Sequence, residues 1–170
     1  MNARVSAAIR LLVLDVDGVL TDGRLYYGPR GETLKVFDVR DGLGIVQLQR
    51  AGLSVAVISG RRSPMVTARC RELGVRHVHQ GVSDKLAVLR RLCARLELTP
   101  SAVACVGDDL PDVPMMSASA LSFAVADAPQ AVQRAADVVT RQRGGRGAVR
   151  EVCDHLLALR RRRARPARAR

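Results

Sequence analysis

From end to end, the sequence alternates short apolar runs with segments that carry helix signals, and this alternation restricts the fold more than any other feature. Strand and helix units joined by right-handed crossovers build a parallel sheet with helices on both faces. We therefore predict an α/β fold with a three-layer, doubly wound, Rossmann-like parallel sheet. The predicted strands are residues 11–14, 53–58, 75–79, 103–106, 121–125 and 138–140, and the predicted helices are residues 41–51, 64–73, 84–96, 111–117, 129–134 and 148–159.

Two extended segments, residues 25–27 and 33–37, interrupt this alternation. The sequence Gly28-Pro29-Arg30-Gly31 between them is typical of a turn, so we predict a β-hairpin over about residues 24–39. Residues 1–159 are predicted to form one domain, since this length suits a single hydrophobic core. Residues 160–170 contain seven arginines and no acid, and are predicted to form a disordered basic tail.

A net charge of +12 raises the question of nucleic-acid binding. Seven of the 28 Lys and Arg residues lie in the predicted tail, and the chain has two Phe, two Tyr and no Trp on which unpaired bases could stack. We therefore expect no nucleic-acid partner, the basic tail being the only feature that favours one. No apolar run approaches the length of a membrane span, and no secretory signal precedes the first strand. We expect a cytoplasmic protein that does not contact the membrane.

The four cysteines give no sign of a metal site. They are far apart in sequence, and no C-x-x-C pair is present. We expect small buried side chains in a reducing compartment at Cys70, Cys93, Cys105 and Cys153.

Polar side chains follow the ends of several predicted strands. Because the carboxyl ends of parallel strands meet at one edge of the sheet, where ligands bind, we expect these groups to lie close together. In chain order they are Asp15 and Asp17, Ser59 and Gly60, Lys85 at the start of a helix, and Asp108 and Asp109.

These residue types suit the transfer of a phosphoryl group. Asp15 can attack phosphorus, while Asp17, two residues further on, can act as the general acid and base. The acidic groups that follow the first and fourth strands would repel each other without a cation, and ligands that are all oxygen suit Mg²⁺. Lys85 and Ser59 can hold the phosphate. The pattern predicts phosphoryl transfer through an aspartyl-phosphate.

The order of these groups resembles the four motifs of the haloacid dehalogenase-like phosphatases. The matching segments are Asp15-x-Asp17-Gly-Val-Leu-Thr-Asp-Gly, Ser59-Gly-Arg, Lys85 and Gly-Asp108-Asp109-x-x-Asp112. Within this superfamily, residues 10–155 resemble the capless phosphatases that act on 3-deoxy-D-manno-octulosonate 8-phosphate (Kdo 8-phosphate). The further matches are Val39-Arg40-Asp41-Gly42, Gln80-Gly81 and residues 144–151.

The resemblance implies an enzyme that hydrolyses Kdo 8-phosphate to Kdo and phosphate, with Mg²⁺ as cofactor, in the lipopolysaccharide sugar pathway of a Gram-negative bacterium. It also implies that the hairpin replaces a cap domain, and that the chain forms a homotetramer in which neighbouring hairpins and tails help to close each site. The Arg-rich tail differs from the family's usual C-terminus.

The resemblance also implies a role for each motif residue. Asp15 is the nucleophile and a metal ligand, Asp17 is the acid and base with its backbone carbonyl on the metal, and Asp108 is the other protein ligand. The transferring phosphate is held by Ser59 and Lys85. Asp109 supports the metal loop. Independently of the resemblance, Asp112 is expected to support the same loop, because it is an acid in the first turn of a predicted helix.

Substrate choice is expected to depend on residues at the rim of the site. The carboxylate of an acidic sugar needs cations, and arginine binds it with two hydrogen bonds, so we expect Arg61 and Arg69 to serve here. The related phosphatases of sialic-acid-type sugars carry Glu where Arg61 stands, which favours Kdo 8-phosphate. The other expected substrate contacts are Asp17, Asp38 (where the family usually has Asn), Gly60, Lys85, and Arg40, Asp41 and Gly42 in a loop facing the site.

Several alternatives stay open at this point. The segment 40–42 could instead be a helix cap with a solvated arginine. The substrate could be a nine-carbon keto-sugar phosphate, or the specificity could be broad. Among non-enzymes, a receiver-like domain would need an acceptor Asp at the end of the third strand, where this sequence has His79-Gln80. A nucleic-acid-binding module would depend on the tail.

Overall fold

The computed structural model describes residues 9–164 of the 170-residue chain. Its strands are β1 (Leu11–Leu14), β2 (Tyr26–Gly28), β3 (Gly31–Leu34), β4 (Ser54–Ser59), β5 (His77–Gln80), β6 (Val103–Gly107), β7 (Leu121–Ala124) and β8 (Val138–Val139). Its α-helices are α1 (Val39–Arg50), α2 (Pro64–Glu72), α3 (Lys85–Arg95), α4 (Val113–Ala118), α5 (Gln130–Ala135) and α6 (Ala148–Ala164). None of the helices within residues 9–164 has the length and apolar content to cross a membrane.

Six strands form a parallel sheet in the order β5-β4-β1-β6-β7-β8, which confirms the predicted fold class. All four side chains of β1 are fully buried, as expected for a central strand covered on both faces. Helix α1 packs against α6, and α3 packs against α4. Right-handed crossovers place α1 and α2 on one face of the sheet and α3 and α4 on the other.

The chain reverses its direction of travel across the sheet at β1. It first adds β4 and β5 on one side of β1, and then crosses over to add β6, β7 and β8 on the other side. Such a reversal opens a crevice at the carboxyl ends of the two strands that flank the reversal. The loops after β1, β4 and β6, which carry the predicted site residues, therefore meet at this crevice.

The hairpin is present, but its strands are closer to the turn than predicted. Gly28 and Gly31 pair across the hairpin, so only Pro29 and Arg30 lie between the strands. Gly31 has a φ of 102°, a conformation that glycine adopts without strain and that permits this tight turn. The pairing stops at Leu34, so the prediction of a strand up to residue 37 is wrong.

Three helix boundaries also differ from prediction. Helix α1 begins at Val39 rather than Asp41, because the Asp38 carboxylate accepts a hydrogen bond from the Arg40 N–H and caps the helix. Before α4, residues Leu110–Asp112 form a separate 3₁₀ turn. Helix α6 continues to Ala164, since arginine favours helix and no Gly or Pro interrupts the segment. The rest of the predicted tail, residues 165–170, lies outside the described residues.

The prediction that the four cysteines are buried is confirmed. All are buried and all are free thiols. Burial raises the pKa of Cys105 and of Cys153 to about 12, so these thiols are protonated and unreactive near neutral pH.

Candidate active site

The loop after β1 places Asp15 at the centre of the crevice. The Asp15 N–H donates to the Val106 carbonyl of the neighbouring strand (3.2 Å), which fixes the backbone of this residue. Its side chain is buried, and Asp15 Oδ1 accepts a hydrogen bond from Lys85 Nζ (2.8 Å). The carboxylate is therefore held at the carboxyl edge of the sheet with one oxygen bound to a cation.

Gly18 allows the same loop to turn close to Asp108. Its φ is +96°, and a Cβ atom built at this position would lie 2.0 Å from Asp108 Oδ2. Any other residue would be strained and would collide with that carboxylate. The absence of a side chain thus brings the Asp17–Gly18 peptide next to Asp108.

Lys85 lies between two carboxylates at the start of α3. Asp84 caps this helix by accepting from the Ala87 N–H (2.9 Å), and the capped first turn directs the Lys85 side chain into the site. Lys85 Nζ donates to Asp15 (2.8 Å) and Asp112 (2.5 Å). Burial alone would lower the pKa of Lys85, but attraction to the two carboxylates outweighs it and the pKa is raised. The side chain is a fixed positive charge.

Three carboxylates converge on this point. One oxygen from each of Asp15, Asp108 and Asp112 lies within 4.8 Å of the others. The pKa of Asp15 is raised to about 6 and that of Asp108 to about 8. Burial is the largest cause of both shifts, and repulsion between the carboxylates is the next. The three carboxylates therefore still repel each other, although Lys85 pairs with two of them.

Asp112 is occupied in holding the loop after β6. Its Oδ1 atom accepts from Lys85, and its Oδ2 atom accepts from the backbone N–H groups of Asp108 (3.1 Å) and Asp109 (3.3 Å). The Asp109 carboxylate accepts from the Leu110 N–H (2.7 Å) and points into the exposed part of the turn. This is the geometry expected of residues that support the loop.

The cluster fits a hard divalent cation. The available donors are oxygens, three carboxylates face one ammonium group, and both Asp112 oxygens already accept hydrogen bonds. Asp15 and Asp108 remain as carboxylate ligands, beside the Asp17–Gly18 peptide. Such a set suits Mg²⁺, which prefers oxygen ligands and binds through one or two carboxylates.

The predicted phosphate and substrate residues that follow β4 lie at the same edge. Ser59 is the buried last residue of β4, and Gly60 beside it is exposed. The Arg61 side chain is 40% exposed, and its Nε atom lies 3.9 Å from Asp17 Oδ2. Arg61 therefore borders the predicted catalytic acid.

The remaining predicted substrate residues form a second group, at the start of α1 and on α2. Gly42 packs against the Arg69 guanidinium, which also pairs with Glu72 (2.9 Å). Asp38 pairs with the exposed Arg40 (2.6 Å), whose guanidinium also donates to the Arg146 carbonyl. Within residues 9–164, no hydrogen bond or ion pair joins this group to Asp15, Asp17 or Lys85.

The prediction that residues 40–42 form a loop facing the site is corrected by the position of Asp41. It lies in the first turn of α1 and is almost fully buried. Its carboxylate accepts from the N–H groups of Gly147 (3.3 Å) and Arg150 (2.7 Å), and so caps the start of α6. Residues 40–42 therefore match the helix-cap alternative, and their contact with substrate stays a prediction.

Sequence analysis does not single out Lys35 and Glu32, which the hairpin brings to the catalytic loop. Lys35 Nζ donates to Asp17 Oδ1 and pairs with Glu32 (3.0 Å). The only sequence signal is composition, because Lys35 and Lys85 are the only lysines among 28 Lys and Arg residues. Both lysines prove to be bound to a predicted catalytic aspartate.

Comparisons with known proteins agree with this geometry. Residues 74–151 match the family model of the haloacid dehalogenase-like hydrolases. The 3-deoxy-D-manno-octulosonate 8-phosphate phosphatase of Escherichia coli K12 is 54% identical over 149 residues, which are 88% of this chain and 79% of that protein.

Solved structures give the same result. The crystal structure of the phosphatase of this name from Yersinia pestis is 51% identical, with a TM-score of 0.88 over 91% of this chain and 83% of that one. The Moraxella catarrhalis phosphatase of this name, solved with a magnesium ion, a phosphate ion and Kdo, is 39% identical. It has a TM-score of 0.88 over 91% of this chain and 88% of that one.

Proposed function

Since the chain belongs to the 3-deoxy-D-manno-octulosonate 8-phosphate phosphatases of the haloacid dehalogenase-like hydrolases, we propose that its site hydrolyses Kdo 8-phosphate to Kdo and inorganic phosphate. The observation that carries this proposal is the buried Asp15 carboxylate. It is bound to Lys85 at 2.8 Å and lies among acidic groups in the crevice where the chain reverses its direction across the sheet. A nucleophile, a fixed cation and a metal-binding cluster meet there at a single place.

The reaction has two displacements at phosphorus. In the first, an Asp15 oxygen attacks phosphorus, the bond between phosphorus and the sugar oxygen breaks, and Asp17 donates a proton to that oxygen. In the second, Asp17 accepts a proton from water, which attacks the aspartyl-phosphate and releases phosphate with the Asp15 carboxylate restored. Asp17 thus returns to its starting protonation state in each cycle.

Binding of the phosphate uses groups fixed by the fold. Lys85, which contacts Asp15, and Ser59, the last residue of the neighbouring strand β4, are proposed to hold the oxygens of the transferring phosphoryl group. The ligands proposed for Mg²⁺ are the carboxylates of Asp15 and Asp108 and the backbone carbonyl of Asp17. When bound, Mg²⁺ neutralises the carboxylate cluster and the negative charge of the phosphate.

The sugar carboxylate is proposed to bind arginine at the rim. Arg61 is suited to this because its guanidinium is partly exposed and lies beside Asp17, where the leaving sugar oxygen must be. Gly60 leaves space next to it. Asp38, Arg40 and Arg69, the members of the second group that are at least partly exposed, are proposed to contact substrate across a subunit interface.

Phosphate release from Kdo 8-phosphate tests the proposed function. The purified protein with Mg²⁺ is expected to form phosphate and Kdo in equal amounts. A chelator should stop the reaction and added Mg²⁺ should restore it, because the clustered carboxylates need the cation. A matched nine-carbon keto-sugar phosphate is expected to have a kcat/KM at least about 10-fold lower.

Two outcomes of this assay would contradict the proposal in different ways. A higher kcat/KM for the nine-carbon sugar phosphate would show that this sugar phosphate is the substrate. It would also contradict the proposal that Arg61 selects Kdo 8-phosphate. Failure to release phosphate from either sugar in the presence of Mg²⁺ would overturn the proposed function itself.

A homotetramer is proposed from the exposed apolar surface of the hairpin. Tyr27 is 63% exposed and Val39 is 77% exposed, and the neighbouring Leu25, Leu34 and Val36 are exposed as well. Exposed large apolar side chains concentrated in one short segment are typical of a protein interface. Light scattering of the purified protein is expected to give the mass of four chains, and a monomer would contradict this proposal.

A cytoplasmic location is proposed from the thiols. The four cysteines are unpaired, which is the state kept by a reducing compartment.

A further inference from the structure

One side chain from the hairpin segment reaches the loop after β1, which carries Asp15 and Asp17. Lys35 follows β3 directly, and its side chain is only 1% exposed. Lys35 Nζ donates to Asp17 Oδ1, and it also pairs with Glu32 Oε1 at 3.0 Å. The two ends of this contact belong to different parts of the fold, since the hairpin forms its own two-stranded sheet.

The second oxygen of Asp17 faces a different neighbour. Asp17 Oδ2 lies 3.9 Å from the buried Arg61 Nε, beyond hydrogen-bonding distance. Arg61 is in turn held by the Tyr27 hydroxyl (3.1 Å) and by Glu32 (3.5 Å), both on the hairpin. Oδ1 is therefore bound by a buried ammonium, while Oδ2 accepts no hydrogen bond from the part of the chain that the structure describes.

The burial of Lys35 decides what it can do. The Lys35 side chain is only 1% exposed and its ammonium is already bound by the carboxylates of Asp17 and Glu32, so its position suits holding Asp17 rather than binding a sugar phosphate at the rim. Its burial is costly unless the charge is paired, and Asp17 and Glu32 provide two carboxylates for it. The arrangement is a rigid support, in which Glu32 fixes Lys35 and Lys35 fixes Asp17.

General acid–base catalysis depends on such support. A carboxylate that must give a proton to one oxygen and take it from another has to keep its orientation between the two steps. With Oδ1 bound to Lys35, rotation of the Asp17 carboxylate is restricted and Oδ2 is the oxygen left to exchange the proton.

We propose that Lys35 is a positioning residue for the acid and base of this enzyme: it holds Asp17 Oδ1 so that Oδ2 transfers the proton to the leaving sugar oxygen and from the attacking water. The proposal rests on the proposed function, because it assigns an atom and a supporting residue to the acid of that reaction. According to this proposal, the hairpin supports catalysis in its own subunit, independently of any contact between subunits.

Leaving groups of different basicity separate this role from a structural one. A sugar alkoxide needs a proton as it leaves, whereas p-nitrophenolate leaves without one. Lys35→Met is therefore expected to lower kcat for Kdo 8-phosphate about 100-fold, the lower end of what a general acid contributes, with KM within about 3-fold. For p-nitrophenyl phosphate, formation of the aspartyl-phosphate, measured as the first burst of p-nitrophenolate, should change by less than about 3-fold.

Three further variants complete the comparison. Asp17→Asn should show the same selective loss, and Lys35→Arg should recover part of kcat because it restores a cation to Oδ1. Arg24→Met is the matched control, since this hairpin cation is 70% exposed and, within the described part of the chain, pairs only with Asp22. It is expected to leave both substrates unaffected.

Several results would overturn the role of Lys35. An equal loss with both substrates would mean that Lys35 supports the whole site, and a rise in KM alone would mean that it contacts substrate. Full activity of Lys35→Met on the sugar phosphate would exclude both roles. The burst itself reports that the variant is folded. If the wild type prefers another alkyl phosphate, the proposed substrate fails, yet the same comparison on that phosphate still decides the role of Lys35.

Discussion

Asp15→Asn is expected to abolish turnover of Kdo 8-phosphate, with a loss of about 10⁴-fold or more, the scale on which removal of a covalent nucleophile acts. The amide keeps the shape of the side chain and can still accept a hydrogen bond from Lys85. It cannot form the bond to phosphorus. Steady-state phosphate release with saturating Mg²⁺ measures this loss, and wild-type turnover by the variant would remove Asp15 from the mechanism.

The same variant is expected to be at least as stable as the wild type without Mg²⁺. Burial and the Asp112 carboxylate raise the pKa of Asp15 to about 6 in the folded protein, from 3.8 in the unfolded chain. A raised pKa means that the ionised group opposes folding above about pH 6, whereas below about pH 4 it is protonated in both states. Thermal unfolding with a chelator should therefore show an advantage for the Asp15→Asn variant at pH 8 that disappears near pH 4.

Lys85→Met has the second largest expected effect, because the Lys85 ammonium group binds two carboxylates. Its Nζ atom lies 2.8 Å from Asp15 and 2.5 Å from Asp112. Removing it takes away the cation proposed for the phosphoryl oxygens, which should lower kcat by about 10³-fold. Removal of one partner from a buried ion pair also destabilises a protein by about 3–5 kcal/mol at neutral pH.

The pH dependence distinguishes lost charge from lost packing. Without Lys85, the pKa of Asp15 should rise above its present value of about 6, since the lysine is a cause that lowers it. The destabilisation of Lys85→Met should then be full above that pKa and shrink toward pH 4, as Asp15 is protonated in the folded and unfolded states alike. Chemical unfolding at several pH values without metal measures it.

Lys85→Arg is the matched control, since it keeps the charge. It should recover most of the stability, although the longer planar group will not reproduce the position of Nζ and activity should stay low. A destabilisation of Lys85→Met that does not change with pH would show that packing, and not charge, holds this lysine in place.

The sequence could predict those parts of the fold and of the site that depend on local patterns. A fully apolar run followed by Asp15 indicates a buried strand ending at the crevice, and the same logic applies to β4 and β6 with Ser59 and Asp108. The order of strands then follows from crossover handedness. The meeting of Asp15, Asp108 and Lys85 is a consequence of topology, and so it could be predicted without coordinates.

Contacts between distant segments could not be predicted in this way. Asp41 resembles a helix-starting residue because of its neighbours, but its carboxylate caps α6 at Gly147 and Arg150, more than a hundred positions away. Lys35 follows a short strand with no motif around it, and only the fold of the hairpin against the loop reveals its contact with Asp17. In both cases a buried polar group finds its partner through tertiary structure.

The stereochemistry at phosphorus tests the central claim, transfer through Asp15, most directly. The phosphorothioate analogue of Kdo 8-phosphate, made chiral at phosphorus with one heavy oxygen isotope, can be hydrolysed with Mg²⁺ in water carrying the other heavy isotope, and the configuration of the product thiophosphate determined. Two in-line displacements, first by Asp15 and then by water, each invert the configuration, so overall retention is the expected result. Inversion would show a single direct attack by water and would contradict the aspartyl-phosphate.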